Sequence, residues 1–526
     1  MNFVVLAVFL LFAIRRLLTY LHIYQQEEYD SVRFIRWLIG RRSFDTRATL
    51  GIFVIGVVQI YGAFPGFLAG ILAVLILIVT CLVEKDPRYA GKKPLVMTAR
   101  AKRVYFSALV FVLAVGLAIC LSRAPVIVWI LAIQIVPFAL TAGNLVLAPY
   151  ENTTQKRFWS EAHNKLLSLK PVTIGITGSY GKTSTKHLLG HILETQAPTL
   201  ITPGSVNTPM GIARIVRERL AAHHRFFVCE MGAYGPGSIE RLCRLAPPSI
   251  GVITAIGMAH YERFKSLETV AQTKFELAQA VAARNGSVVI AEQVLEFSPA
   301  RSFFTGYREK TLVVGSGADC AMRITSKEQT DSGIEANVDW KGASYTLRAP
   351  LYGEHHITNM VLAFATACAL GVAPEDAIIA LASVPQISHR LEVKRGPNGA
   401  RMIDDAYNSN PAGFASALRL LDALNRNGGR RVLVTPGMVE LGPAHHEEHR
   451  KLGLLAGNFA DVLLPVAPER IQALTTAYAS SNPNGTIVSC PDFATADAWL
   501  RANLGPSDTV LLENDLPDLY ERRLKL

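Results

Sequence analysis

Charged side chains make up only 18% of this chain, and cysteine is scarcer still, with 7 in 526 residues. The cysteines, at positions 81, 120, 229, 243, 320, 368 and 490, are scattered and form no Cys-x-x-Cys pair. That argues against zinc sites and a disulfide framework and fits a reducing compartment. No internal repeat and no low-complexity linker interrupts the sequence. The net charge of +11 invites a nucleic-acid reading, but residues 1–150 carry 15 Lys/Arg against 6 Asp/Glu, or +9, which leaves +2 for residues 151–526. The basic excess therefore belongs to loops beside apolar runs, and nucleic-acid binding is not expected.

Those apolar runs also lack charge. The mean hydropathy of +0.26 is high for a soluble protein. The first run, residues 3–14, has no positive charge before it and Arg15-Arg16 directly after it, the reverse of a secretory signal peptide. Residues 49–83 are too long for one span of about 20 residues, and Pro65-Gly66 breaks them in the middle. The pattern predicts a transmembrane region over residues 1–150 with helices at 3–23, 49–64, 66–83, 104–121 and 125–147. Four spans, with residues 3–23 lying in the interface, are the alternative. Loop 24–48 contains Arg33, Arg36, Arg41, Arg42 and Arg47, and loop 84–103 contains Lys85, Arg88, Lys92, Lys93, Arg100, Lys102 and Arg103. The positive-inside rule makes both cytoplasmic, together with everything after Pro149. No Asp, Glu, Lys or Arg follows Arg16 within the spans, so anchoring or gathering a lipid-linked substrate is expected rather than an ion pathway.

From Glu151 strand and helix patterns alternate, with strand candidates at 172–176, 226–230, 250–255 and 287–290, which implies a parallel sheet covered by helices. Short alternating runs at 321–325, 334–340 and 344–349 fit a small antiparallel subdomain or insertion. A second α/β block starts at 401–403 and continues with strands at 431–435, 462–466, 486–488 and 509–512. The expected fold is thus an N-terminal α-helical transmembrane bundle, a P-loop parallel-sheet ATPase domain over 151–388, and a Rossmann-like α/β domain over 389–526.

One stretch organises the soluble part. Strand 172–176 leads into Thr177-Gly178-Ser179-Tyr180-Gly181-Lys182-Thr183-Ser184 and then into an amphipathic helix bearing Leu188, Leu189, Ile192 and Leu193. Glycines let backbone N–H groups close around phosphate oxygens, Lys182 supplies a cation for the terminal phosphates, and the Thr183 hydroxyl is placed for Mg2+. The strict G-x-x-x-x-G-K-[ST] pattern is missed by one position, because Gly181 lies six residues after Gly175 and Ile176 fills the expected glycine site. Glu230 ends a buried strand and is a candidate Mg2+ ligand, and His260 stands in the same relation to the next strand.

These stretches, with Asn207-Thr208-Pro209-Met210-Gly211, Glu230-Met231-Gly232-Ala233 and Gly257–Phe264, resemble the central ATPase domain of the Mur ligases. The similarity continues through Gly353–Asn359, His389-Arg390-Leu391-Glu392, Ile403–Pro411 and Glu440-Leu441-Gly442, covering roughly residues 155–526. It implies an ATP-dependent carboxylate–amine ligase that joins an amino acid or a dipeptide of D-alanyl-D-alanine type to a cell-envelope precursor through an acyl phosphate. It further implies that Gly178, Ser179, Gly181, Lys182, Thr183, Ser184, Asn359, Arg390, Asp405, Tyr407 and Asn408 bind ATP. Two Mg2+ ions are implied, one on Thr183 and Glu230, the other on His260 and on Lys274 after that lysine is carbamylated by CO2. Lys182, Glu230, His260 and Lys274 would carry the chemistry. A poly-γ-glutamate-synthase-like ligase and a membrane NTPase regulating envelope polymer assembly are the competing readings. Two departures stand out: membrane helices occupy the place of the family's domain for the uridine diphosphate sugar, and Gly437, in Thr435-Pro436-Gly437-Met438, stands where an acid is expected.

Overall fold

The computed structural model describes all residues except 1, 41, 64, 90–93, 258–263, 265, 408, 426–427, 440 and 516–526. The described residues form two compact units, 1–155 and 156–515.

The first unit is helical: Asn2–Gln26, Ser31–Gly40, Arg47–Ile60, Gly66–Val83, Ala99–Leu121, and a helix Trp129–Leu169 that opens in this unit. Asn2–Gln26, Gly66–Val83, Ala99–Leu121 and Val126–Leu169 are long and apolar enough to cross a membrane by length and composition; Arg47–Ile60, with 14 residues, is shorter. Helix starts are set by polar caps, with Asp45 Oδ1 accepting the N–H groups of Ala48 (2.9 Å) and Thr49 (3.3 Å), and Thr98 Oγ1 accepting that of Ala101. Sequence periodicity missed Ser31–Gly40, whose Phe34 and Leu38 are buried one turn apart on a ten-residue helix too short to stand out. Arg16 is buried, 2.7 Å from Asp45 and 3.5 Å from Glu84, and Arg15 pairs with Asp86 at 2.7 Å.

The second unit holds two sheets. β1 (Val172–Thr177), β2 (Thr199–Ile201), β3 (Phe226–Glu230), β4 (Ile250–Ile253), β5 (Ser287–Ala291), β6 (Thr311–Gly315), β7 (Met322–Thr330), β8 (Gly333–Trp340) and β9 (Ala343–Ala349) lie in the order β2-β3-β1-β4-β5-β6-β7-β8-β9. Strands up to the β6–β7 pair run parallel, and β7, β8 and β9 are antiparallel. The runs expected as a separate antiparallel subdomain therefore extend the main sheet, because β7 pairs with β6 through Val314 and Gly315. The inner strands are apolar on both faces, as a sheet covered by helices requires. The second sheet, β10 (Glu392–Arg395), β11 (Arg401–Asp405), β12 (Arg431–Thr435), β13 (Val462–Pro465), β14 (Thr486–Ile487) and β15 (Thr509–Glu513), has the order β10-β11-β15-β12-β13-β14, parallel except for β10.

Candidate active site

Parallel strands deliver ligands at their carboxyl ends, and here β3, β1 and β4 are adjacent and end together at Glu230, Thr177 and Ile253. β1 passes through the turn 178–181 into helix Lys182–Glu194. Two glycines are required there. Gly178 has φ +155° and a Cβ on it would meet Thr254 Oγ1 at 1.9 Å; Gly181 has φ +80° and its Cβ would meet Asn359 Oδ1 at 2.2 Å. The loop is pinned from the next strand's end: Ser179 Oγ accepts the Gly257 N–H (2.9 Å) and donates to the Gly257 carbonyl (3.0 Å), and Thr254 donates to the Tyr180 carbonyl. Lys182 Nζ donates to the carbonyls of Gly178 (2.7 Å) and Ser179 (3.3 Å), so its ammonium lies across the mouth of the loop.

Glu230 is the centre of the site. It is 1% exposed, and its Oε2 accepts from Thr183 Oγ1 at 2.9 Å and from Lys186 Nζ at 3.2 Å. Its Oε1 accepts from Asn207 Nδ2 at 3.1 Å, and Tyr234 O–H fixes Asn207 Oδ1 at 2.9 Å. Burial pushes the Glu230 carboxyl up, but Lys186 and Lys182, with Asn207 and Thr183, outweigh it and hold the group below the usual carboxylate range. Thr183 and Glu230 together present the hard oxygen donors that Mg2+ prefers, which fits the metal the resemblance implies. Lys274 lies in helix Leu267–Ala282 and is 4% exposed. Burial first, and the Lys182 charge second, drive its amine well below the ordinary lysine value. Among the described residues no carboxylate pairs with it.

Asn359, in helix His355–Ala369, is buried against the loop, with Oδ1 3.4 Å from Thr185 Oγ1. Ser184 is buried in the first turn of helix Lys182–Glu194. The Arg390 guanidinium stacks 4.2 Å from the centre of the Tyr407 ring, and both residues line a cleft of about 510 Å³ with Thr183, His187 and Ser205. Asp405 is turned inward: its Oδ1 accepts the Leu391 N–H at 3.3 Å and it neighbours Glu513 across β11 and β15. Burial pushes Asp405 up to about 7 against the pull of Arg390, and burial with Asp405 beside it pushes Glu513 up as well. His389, Glu392 and Asp404 gather within 4.8 Å, but Lys394 already supplies their cation, 2.5 Å from Asp404 and 3.3 Å from Glu392.

Of the residues singled out from sequence, Thr183 and Glu230 thus meet directly, Lys182 lies within electrostatic reach of Glu230 and of Lys274, and Arg390 and Tyr407 share a cleft with Thr183. His260 and Asn408 lie outside the described residues. Lys186, Asn207 and Tyr234 carry no role that sequence reasoning assigns. The signal for Lys186 is its spacing, one helical turn after Lys182 on the same helix.

Residues 176–367 match the Mur ligase middle domain and residues 389–513 the Mur ligase glutamate ligase domain. The UDP-N-acetylmuramoyl-tripeptide–D-alanyl-D-alanine ligase of Mycobacterium tuberculosis is 33% identical over 363 residues, 65% of this chain and 69% of that protein. Its Bacillus subtilis counterpart is 29% identical over 303 residues, 58% of this chain and 62% of that protein. Among solved structures, MurF ligase from Thermotoga maritima in complex with ADP superposes with TM-score 0.60 at 24% identity, covering 70% of this chain and 82% of that one. A ligase from Acinetobacter baumannii, described as UDP-N-acetylmuramoylalanyl-D-glutamyl-2,6-diaminopimelate–D-alanyl-D-alanyl ligase, gives TM-score 0.58 at 25% identity, covering 69% and 76%. Fold, site and relatives define an ATP-dependent amide-bond-forming ligase. The chain belongs to the Mur ligase family.

Proposed function

We propose that this chain is a membrane-anchored ligase that joins the amine of a dipeptide, of D-alanyl-D-alanine type, to a carboxylate on a peptidoglycan precursor, with its catalytic unit on the cytoplasmic side. The observation that carries the reading is the Thr183–Glu230 pair set beside Lys182 and the buried amine of Lys274. Amide formation from a carboxylate is uphill, and ATP drives it when the acceptor carboxylate attacks the γ-phosphorus, forming an acyl phosphate and releasing ADP. The amine then attacks the acyl carbon, inorganic phosphate leaves, and the amine loses a proton. Lys182 and the loop N–H groups neutralise the charge of the transferring group. Thr183 and Glu230 would hold Mg2+, which supplies Lewis-acid polarisation of phosphoryl oxygens. Arg390 and Tyr407, across the cleft from Thr183, bring the third domain to the nucleotide and help exclude water from the acyl phosphate.

Lys274 deepens the reading. Burial holds its amine well below the ordinary lysine value, which favours the neutral form, the form able to attack CO2. The N–C bond forms, a C=O electron pair moves to oxygen, and an amine proton leaves to solvent, so that a buried neutral amine becomes a carbamate anion able to hold a second Mg2+. The membrane part rests on the first unit. Among the described residues, nearly all exposed large apolar side chains lie in residues 1–155, such as Phe53, Phe67, Leu82, Phe106, Val110 and Leu145, a surface that water alone does not accommodate.

The full-length chain in detergent, given ATP, Mg2+, UDP-muramoyl tripeptide and D-alanyl-D-alanine, should release phosphate only when both acceptor and amine are present, and hydroxylamine should trap the acyl phosphate as a hydroxamate. Steady ATP turnover indifferent to the amine would instead identify an NTPase of another purpose and sink the ligase reading.

A further inference from the structure

Glu230 carries more partners than a metal ligand needs. Its Oε2 takes the Thr183 hydroxyl and the Lys186 ammonium, and its Oε1 takes the Asn207 amide. A carboxylate offers about four lone-pair sites, so three of them are filled by protein. The Lys186 side chain is fully buried, yet it has a second acceptor, the Gly204 carbonyl in the loop between β2 and helix Pro209–Arg219. Mg2+ demands oxygen ligands at about 2.0–2.1 Å in near-octahedral geometry, and an ammonium 3.2 Å from Oε2 competes for the same charge in the same place.

We infer that Lys186 is a positioning residue: a resident cation that holds Glu230 when no metal is bound, yields to Mg2+, and retreats onto Gly204, so that metal entry is transmitted to the loop carrying Asn207. This rests on the reading above that Thr183 and Glu230 hold the metal. The helix supplies the geometry, since Lys182 and Lys186 are one turn apart and the first faces the phosphate loop while the second faces Glu230. Two fixed cations thus flank one carboxylate, and removing either makes that carboxylate a stronger ligand for a third.

The test is a titration of the full-length protein with Mn2+ as the probe metal, in saturating ADP, read by the electron paramagnetic resonance signal of free Mn2+. Lys186→Met should lower the dissociation constant by at least about tenfold, because a buried unit charge 3.2 Å from Glu230 Oε2 has been removed. Lys186→Arg should restore wild-type affinity. Lys186→Gln, which keeps a hydrogen bond to Gly204, should tighten Mn2+ in the same direction and stands in if the methionine variant folds poorly. Unchanged or weaker Mn2+ binding in the neutral variants overturns the inference. Glu230→Gln separates the two readings. Wild-type Mn2+ affinity in that variant would remove the Thr183–Glu230 metal site itself, whereas weakened binding there upholds the site, and the lysine variants then decide for or against Lys186.

Discussion

Lys274 shows how a residue type takes its meaning from surroundings. A lysine on a helix is ordinarily a solvated charge, but this one is buried near Lys182, where the ammonium form is penalised by both desolvation and like charge. Lys274→Ala should abolish ligation, with loss of at least about two orders of magnitude in kcat, the lower end expected when a group organising a reacting charge is removed. Incubation with ¹³C-bicarbonate should give the wild-type protein a carbamate carbon resonance that the variant lacks. Gly181 makes the opposite point, that a side chain can be excluded. Gly181→Ala sets a Cβ at φ +80° and 2.2 Å from Asn359 Oδ1, which costs roughly 1–2 kcal/mol in backbone conformation alone. Both a lower Tm and a higher KM for ATP are expected, since Asn359 must move. Asp405 gives a pH signature. Its folded pKa of about 7 exceeds the unfolded value of about 3.9. The folded chain therefore keeps a proton that the unfolded chain releases, and this contribution to stability is complete at low pH and lost as pH rises between about 4 and 7. Asp405→Asn cannot ionise, so its Tm should fall less than that of the wild type between about pH 5 and pH 8.

At the scale of elements, helix Pro411–Leu424 shows how part of a motif is local chemistry. The Asn410 side chain accepts the Gly413 N–H at 2.9 Å, and Pro411 fills the first turn, where no N–H is needed. The last two residues of the Asp404–Pro411 stretch are thus accounted for as a helix start. Asn410→Ala should lower the unfolding free energy by about 1 kcal/mol, measured in denaturant, without a matching loss of ATP binding. The same distinction explains what was legible in the sequence. The regular alternation from Val172 onward marked most strands because each is a run of apolar residues bounded by turns. The three-residue β2, the edge strand β10 and the helix Ser31–Gly40 are too short for periodicity to show. The joining of β7–β9 to the main sheet was hidden because strand pairing is a tertiary choice. Of the site, the phosphate loop and Glu230 were legible from their place after strands. Lys186 and Asn207 were not, because their roles come from β2, β3 and helix Lys182–Glu194 meeting in space.

At the scale of the whole molecule, the first unit collects its charges at one level. Arg15 and Arg16 meet Asp86, Asp45 and Glu84, and Arg103 meets Glu151 at 2.6 Å. Asp45, Glu84 with Asp86, and Arg103 sit at the start of Arg47–Ile60, the end of Gly66–Val83 and the start of Ala99–Leu121, opposite Arg15 and Arg16 within Asn2–Gln26 and Glu151 within Trp129–Leu169, while Gln59 Oε1 accepts the Val126 N–H at the other ends of Arg47–Ile60 and Ala99–Leu121. The helices thus run up and down, with their ion pairs gathered at one end and apolar length between. The Arg16–Asp45–Glu84 cluster is therefore a tie between three segments far apart in sequence, and its buried guanidinium cannot be left unpaired cheaply. Removing one partner of a buried pair costs about 3–5 kcal/mol, whereas replacing the pair by apolar residues of similar volume is often neutral. Asp45→Leu should accordingly lower the Tm of the full-length chain sharply, and Arg16→Met combined with Asp45→Leu should lower it by less than the sum of the two single losses, with full recovery prevented by Glu84 left without Arg16 and by the lost cap of Ala48 and Thr49. Additive losses in the double variant would show that the two residues do not act as a pair and that some other contact holds these helices together.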